Sequence, residues 1–125
     1  MYGKILVVDD EKRIVDLLRR VLIQEGFDVY TATSGKAAMD LLNQITPNLI
    51  ILDVMMPGMD GGDVAAEIFK EESTKEIPII YCTGAISDEE AANQNRQTPG
   101  CSYISKTSSI QEQVKIIKEV LAANS

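Results

Sequence analysis

The stretch "ILVVDDEKR", residues 5–13, decides the fold. Four apolar residues, Ile5 to Val8, run straight into two adjacent carboxylates, Asp9 and Asp10. A short run of this kind, rich in branched side chains, reads as a buried strand over 4–8. Directly after it Ile14, Leu17, Leu18, Val21 and Leu22 recur at helical spacing, the apolar face of an amphipathic helix. Asp10 can cap the start of that helix and Gly26 can end it. A strand that feeds straight into a helix is the repeating unit of a parallel sheet. The two acids pose a further question, because like charges repel and a buried carboxylate is costly without a partner.

The unit recurs along the chain. Residues 27–32 form a second strand; Ser34 then caps a helix with Ala38, Leu41, Leu42 and Ile45 inward, and Pro47 stops it. "NLIILD", 48–53, is a third strand that again ends in an acid. "VMMPGMDG" is a loop, and Asp60 or Gly61 opens a helix carrying Val64, Ile68 and Phe69. "IPIIYC", 77–82, is a fourth strand, with Pro78 near its start where a proline is tolerated. Ser87 and Glu90 make a capping box for a fourth helix, yet "DEEAANQNRQ" has almost no apolar stripe. "CSYIS", 101–105, is a fifth strand, and Ser109 with Glu112 boxes a fifth helix carrying Ile110, Val114, Ile117 and Leu121 inward. Right-handed crossovers then give an α/β doubly wound fold with one five-stranded parallel sheet in the order 2-1-3-4-5. With 125 residues and no linker or low-complexity stretch, a single domain over 1–125 is expected, with no output domain in this chain.

Composition narrows the function. A net charge of −7 disfavours nucleic-acid backbones and anionic membranes as partners. No apolar run is long enough to span a bilayer, and the first residues lack a signal-peptide pattern, so a cytoplasmic protein is the default expectation. The absence of histidine removes Ser-His catalysis and the usual zinc and haem sites. Cys82 ends one strand and Cys101 begins the next, positions at opposite ends of a parallel pair, so both read as small hydrophobes and no disulfide is expected.

In a sheet of this order, ligands sit outside the carboxyl ends of the strands, at the point where the strand order reverses. Asp9 and Asp10 follow the first strand, Asp53 the third, Thr83 the fourth and Lys106 the fifth. Taken singly these residues mean little: an acid there is more often a helix cap, a threonine a strand end and a lysine a solvated charge. Together they place three carboxylates, a hydroxyl and an ammonium on one edge of the sheet. Three acids in one place need a cation, and carboxylates with waters suit Mg²⁺. Aspartate, Mg²⁺, lysine and threonine are the parts that in-line phosphoryl transfer to a carboxylate requires.

The segments "VVDDE", "LDVMMPGMDG", "YCTGA" and "YISK" resemble, in order and spacing, the signatures of the receiver domains of two-component response regulators. The resemblance covers nearly the whole chain and implies a flavodoxin-like (βα)5 sandwich. It implies Asp53 as phosphoacceptor, taking a phosphoryl group from a phosphohistidine on a sensor histidine kinase or histidine phosphotransfer protein. It implies Mg²⁺, with Mn²⁺ as an alternative, held by Asp10 directly, by Asp9 through water, by Asp53 and by the backbone carbonyl of Met55. Thr83 and Lys106 match the residues that hold the phosphoryl oxygens, and Tyr103 matches an aromatic that turns inward when the threonine moves. A half-buried packing role is the plainer reading of Tyr103. The implied protein is a signalling phosphoprotein rather than a turnover enzyme, with self-catalysed phosphotransfer and autodephosphorylation only. Its output partner is unknown. It is a monomer or a phosphorylation-dependent dimer, and it changes the face made by the fourth helix, fifth strand and fifth helix for partner binding.

Two departures from the family pattern stand out. Thr107 occupies the position after the lysine, where the family usually has proline on a cis bond. A cis bond before a non-proline residue costs about 2.5–4 kcal/mol, so a trans bond is expected, with a shifted loop that puts the reach of Lys106 in question. The polar segment "NQNRQTPG" leaves the fourth helix little to anchor it, so that helix is expected to shift easily. Met55 and Ala85 cannot orient an attacking water, which implies slow-to-moderate self-dephosphorylation. Three alternatives remain at this stage. A Mg²⁺-dependent phosphohydrolase would need an acid–base group where Met55 stands. A flavodoxin-like electron carrier would need a phosphate loop where "DDEKR" stands. A receiver that signals only by contact is favoured by Thr107 and opposed by the intact acids.

Overall fold

The computed structural model describes residues 3–54, 61–84, 90 and 102–124. Its elements run β1 (Lys4–Val8), α1 (Lys12–Gln24), β2 (Asp28–Ala32), α2 (Gly35–Leu42), β3 (Leu49–Asp53), α3 (Gly61–Lys70), β4 (Ile79–Thr83), β5 (Ser102–Ser105) and α4 (Ile110–Ala123). The expected fourth helix lies outside the described residues apart from Glu90, so α4 is the fifth helix of the sequence reading. All strand pairs are parallel, in the order β2-β1-β3-β4-β5. This is the expected α/β doubly wound sheet.

Side chains on a strand alternate between faces, so each central strand feeds two cores. Ile5, Val7, Leu49, Ile51, Ile80, Cys82 and Ile104 pack on one face against Val15, Leu18 and Leu22 of α1 and Ile117 of α4. Leu6, Val8, Ile50, Leu52 and Ile79 pack on the other against Ala38 of α2 and Val64, Ala65 and Ile68 of α3. Burial on both faces is why β1 and β3 read as continuous apolar runs rather than alternating ones.

Several local expectations shift. α1 is capped not by Asp10 but at Glu11, without a side-chain bond, because Asp9 instead turns its Oδ1 onto the Glu11 N–H at 2.9 Å. Leu17 is largely exposed and Val15 takes the inward place, so the buried stripe lies slightly round the helix from the one expected. Gly26 does end α1: its φ of 99° is the left-handed turn that glycine permits, with the Gly26 and Phe27 N–H groups returning to Ile23 and Leu22. Ser34 Oγ accepts from the Ala37 N–H, and Ser109 Oγ accepts from the Glu112 N–H, as the caps predict. α2 closes at Leu42 with Asn43 as its cap, several residues before Pro47, so Ile45 lies beyond the helix. Phe69 on α3 points outward, 55% exposed. β4 runs to Thr83, one residue further than expected, and begins after Pro78.

Register fixes the site. Val8 pairs with Leu52, Asp53 with Cys82 and Thr83 with Ser105, so the strands end within about one residue of each other. Leu52 is fully buried immediately before Asp53. Leu52→Ala should therefore cost about 2–5 kcal/mol, read as a lowered urea midpoint with an unchanged slope.

Candidate functional site

Asp9 stands just past β1, Asp53 closes β3, Thr83 closes β4 and Lys106 stands just past β5. Asp9 and Asp53 are each only 2% exposed, although a carboxylate is rarely buried without a partner. Their partner is Lys106: its Nζ lies 3.0 Å from Asp9 Oδ2 and 3.3 Å from Asp53 Oδ2. A third acid, Glu11, reaches the same ammonium from the surface at 3.3 Å. Burial works against the Lys106 charge, but the hydrogen bond and charge of Asp9, and then those of Asp53, outweigh it and push its pKa above the ordinary lysine value.

Asp10 is exposed, yet it offers an oxygen to the same cluster. Ligand atoms of Asp9, Asp10 and Asp53 all lie within 4.8 Å of one another. These three carboxylates, with Glu11 as a fourth, against one ammonium leave the pocket negative, and an all-oxygen set of this kind fits a hard divalent cation. The residues present therefore fit Mg²⁺.

The Lys106 side chain comes from β5 and must pass the end of β4 to reach β3 and β1. Gly84 lies beside that path: a Cβ built there would meet Lys106 Cδ at 3.9 Å. The backbone leads it there, with the Lys106 N–H donating to the Thr83 carbonyl at 2.8 Å. No cis peptide bond occurs among the described residues, so the trans bond expected at Lys106–Thr107 is present. The reach of Lys106, put in question by that bond, is kept: Lys106 contacts both buried acids.

Thr83 is buried with 8% exposure at the end of β4. Tyr103 sits two strand positions before Ser105, half-buried, and stacks on its register partner Tyr81, with ring centroids 5.4 Å apart and planes at 30°. Cys82, opposite Asp53, is a free buried thiol whose pKa burial pushes up to about 12. It is therefore protonated and unreactive at neutral pH, as the reading of a small hydrophobe expects. Met55, Ala85 and Cys101 lie outside the described residues.

The sequence brings Asp9, Asp10, Asp53 and Lys106 together as expected. It also holds two contacts that the motif reading missed. Glu11 was legible only as the third letter of "DDE", with no spacing to tie it to a lysine 95 positions away. Tyr81 lay in an apolar strand, and only strand register reveals its stack on Tyr103.

A parallel sheet in this order, with paired acids beyond β1, an acid closing β3 and a lysine beyond β5, is the architecture of a receiver domain. The chain belongs to the response regulator receiver domain family, whose sequence model matches residues 5–118. It is a receiver domain of two-component response regulators, a class of signalling phosphoacceptor domains rather than enzymes. It resembles the receiver domain of the Francisella response regulator 1452, at 27% identity and a TM-score of 0.80, over 98% of this chain and 99% of that one. It resembles the N-terminal domain of a response regulator receiver protein from Methanoculleus marisnigri JR1, at 34% identity and a TM-score of 0.70, over 96% and 97%. NtrX from Brucella abortus matches at 30% identity and a TM-score of 0.83 over 99% of this chain but 28% of its own. Among the described residues no helix is long and apolar enough to cross a membrane.

Removing the ammonium leaves two buried carboxylates facing each other. Lys106→Met should destabilise the metal-free protein by about 3–5 kcal/mol in urea unfolding. Stability equal to wild type would mean that the pocket is wetter than its burial indicates.

Proposed function

We propose that the chain is a single phosphorylation switch in a two-component relay, with Asp53 as the acceptor. The observation that carries this reading is Asp53 itself: a carboxylate shut from solvent, held at 3.3 Å by Lys106 beside a second buried acid. The donor is a phosphohistidine on a sensor histidine kinase or histidine phosphotransfer protein. A carboxylate oxygen of Asp53 attacks phosphorus in line, an O–P bond forms, the donor's N–P bond breaks, and the imidazole leaves with the bonding electrons.

Asp9, Asp10, Asp53 and the Met55 carbonyl would hold Mg²⁺, or Mn²⁺ in its place. When bound, the ion supplies positive charge against the phosphoryl oxygens. Lys106 would turn part of its charge from the free carboxylate to the new phosphoryl group, and the hydroxyl of Thr83, at the neighbouring strand end, would bond another oxygen. Tyr103 then follows Thr83, which requires it to leave or slide on Tyr81. The surface around β5 and α4, with the segment between β4 and β5, changes and binds an output partner, as a monomer or by pairing with a second copy. Met55 and Ala85 offer no group to activate water, which gives slow-to-moderate self-dephosphorylation. The acidic surface favours protein partners over nucleic acid or membrane, in a cytoplasmic setting.

Intact mass after mixing with acetyl phosphate and Mg²⁺ tests the reading. One phosphoryl mass should appear, and should be absent from Asp53→Ala and from wild type with the divalent ions chelated. Phosphorylation that persists in Asp53→Ala would move the acceptor elsewhere.

A further inference from the structure

The segment after β5 is tied to itself by hydroxyls. Ser105 is fully buried, and its Oγ lies 2.7 Å from Thr107 Oγ1. The same Oγ accepts the Thr107 N–H at 3.2 Å. The Ser105 carbonyl accepts the Ser108 N–H at 3.1 Å, and the Ser108 carbonyl accepts from Nε2 of Gln113, a buried residue of α4, at 3.1 Å. Between Ser105 and Thr107 sits Lys106, whose own N–H is fixed to the Thr83 carbonyl at 2.8 Å.

Serine and threonine turns are common at strand ends and often only fill backbone bonds. This one differs in its location. It brackets Lys106, whose ammonium spans Asp9 and Asp53. A lysine side chain is long and flexible, so its tip is only as well placed as the backbone that carries it. A proline at 107 would have no N–H for Ser105 to accept and no hydroxyl to pair with it. The Ser105–Thr107 bridge holds the segment by a different route, on a trans bond.

We propose that Ser105 and Thr107 are positioning residues: their paired hydroxyls fix the backbone at Lys106, hold its Nζ over Asp9 and Asp53, and so set the rate at which Asp53 takes up a phosphoryl group. The rate part of this inference rests on Asp53 being the acceptor. The backbone part does not.

The test uses Thr107→Val, which removes the hydroxyl at a surface position, Thr107→Ser, which keeps it, and Ser105→Ala alone and combined with Thr107→Val. Three quantities are read: the phosphorylation rate with acetyl phosphate at saturating Mg²⁺, the Mg²⁺ concentration for half that rate, and amide hydrogen exchange at Lys106 and Thr107 without donor. Thr107→Val should be about tenfold slower, since misplacing a reacting group by a fraction of an ångström costs on that order. Thr107→Ser should stay within about twofold of wild type, and half-saturating Mg²⁺ should hold within about twofold throughout, because the acids that would bind it are untouched. The Lys106 and Thr107 amides should exchange faster in Thr107→Val while those of β1 and β3 do not change. The double variant should be no slower than Thr107→Val alone, as expected of two groups acting as one. Wild-type rate and exchange in Thr107→Val would overturn the proposal, and so would equal losses in Thr107→Val and Thr107→Ser. A wild type that accepts no phosphoryl group would refute the acceptor reading, and the exchange data would then decide the bridge alone. Should Ser105→Ala not fold, the two Thr107 variants still decide it.

Discussion

One ammonium holds two buried carboxylates together. Asp9 and Asp53 come from adjacent strands and both are closed to solvent, an arrangement that self-repulsion would oppose without Lys106 between them. The rest of the molecule serves that contact. The parallel sheet sets β1 beside β3 so that the acids meet, with Val8 and Leu52 buried together in one apolar layer behind them. The reversal of strand order leaves the carboxyl ends open to a ligand. On the proposed reading, a group that joins Asp53 would change what Lys106 contacts, since Lys106 now lies against the Asp53 carboxylate.

Much of this was legible in the chain because it is repetitive. The strands are short apolar runs, the helices have one-sided stripes, and acids or a lysine punctuate the strand ends. Elements that depend on tertiary context were harder to place. Leu17 and Val15 are equally apolar, and only docking of α1 on the sheet decides which is buried. Asp10 is the better cap by residue type, yet the helix starts from Glu11, with Asp9 bending back to the Glu11 N–H. The end of α2 is set by Asn43, a weaker signal than the proline further on.

At the site, residue types at strand ends identified the acids and the lysine. Contacts across the sheet could not be read the same way. The Tyr81–Tyr103 stack depends on register, which no single strand's sequence encodes. Thr107 is the most instructive case. A threonine where the family usually has proline put the reach of Lys106 in question, yet the lysine contacts both acids, and the N–H and hydroxyl of Thr107 both meet Ser105 Oγ.

On the proposed reading, the pocket of Asp9, Asp10, Asp53, Thr83 and Lys106 is where a metal and a phosphoryl group meet. The most direct measurement is a residue-resolved NMR comparison of the protein alone, with Mg²⁺, and with Mg²⁺ plus beryllofluoride as a phosphoryl stand-in. Mg²⁺ should shift the amides of Asp9, Asp10 and Asp53, and beryllofluoride should extend the change to Thr83, Lys106 and Tyr103. Shifts confined to other parts of the surface, or none with either addition, would contradict it.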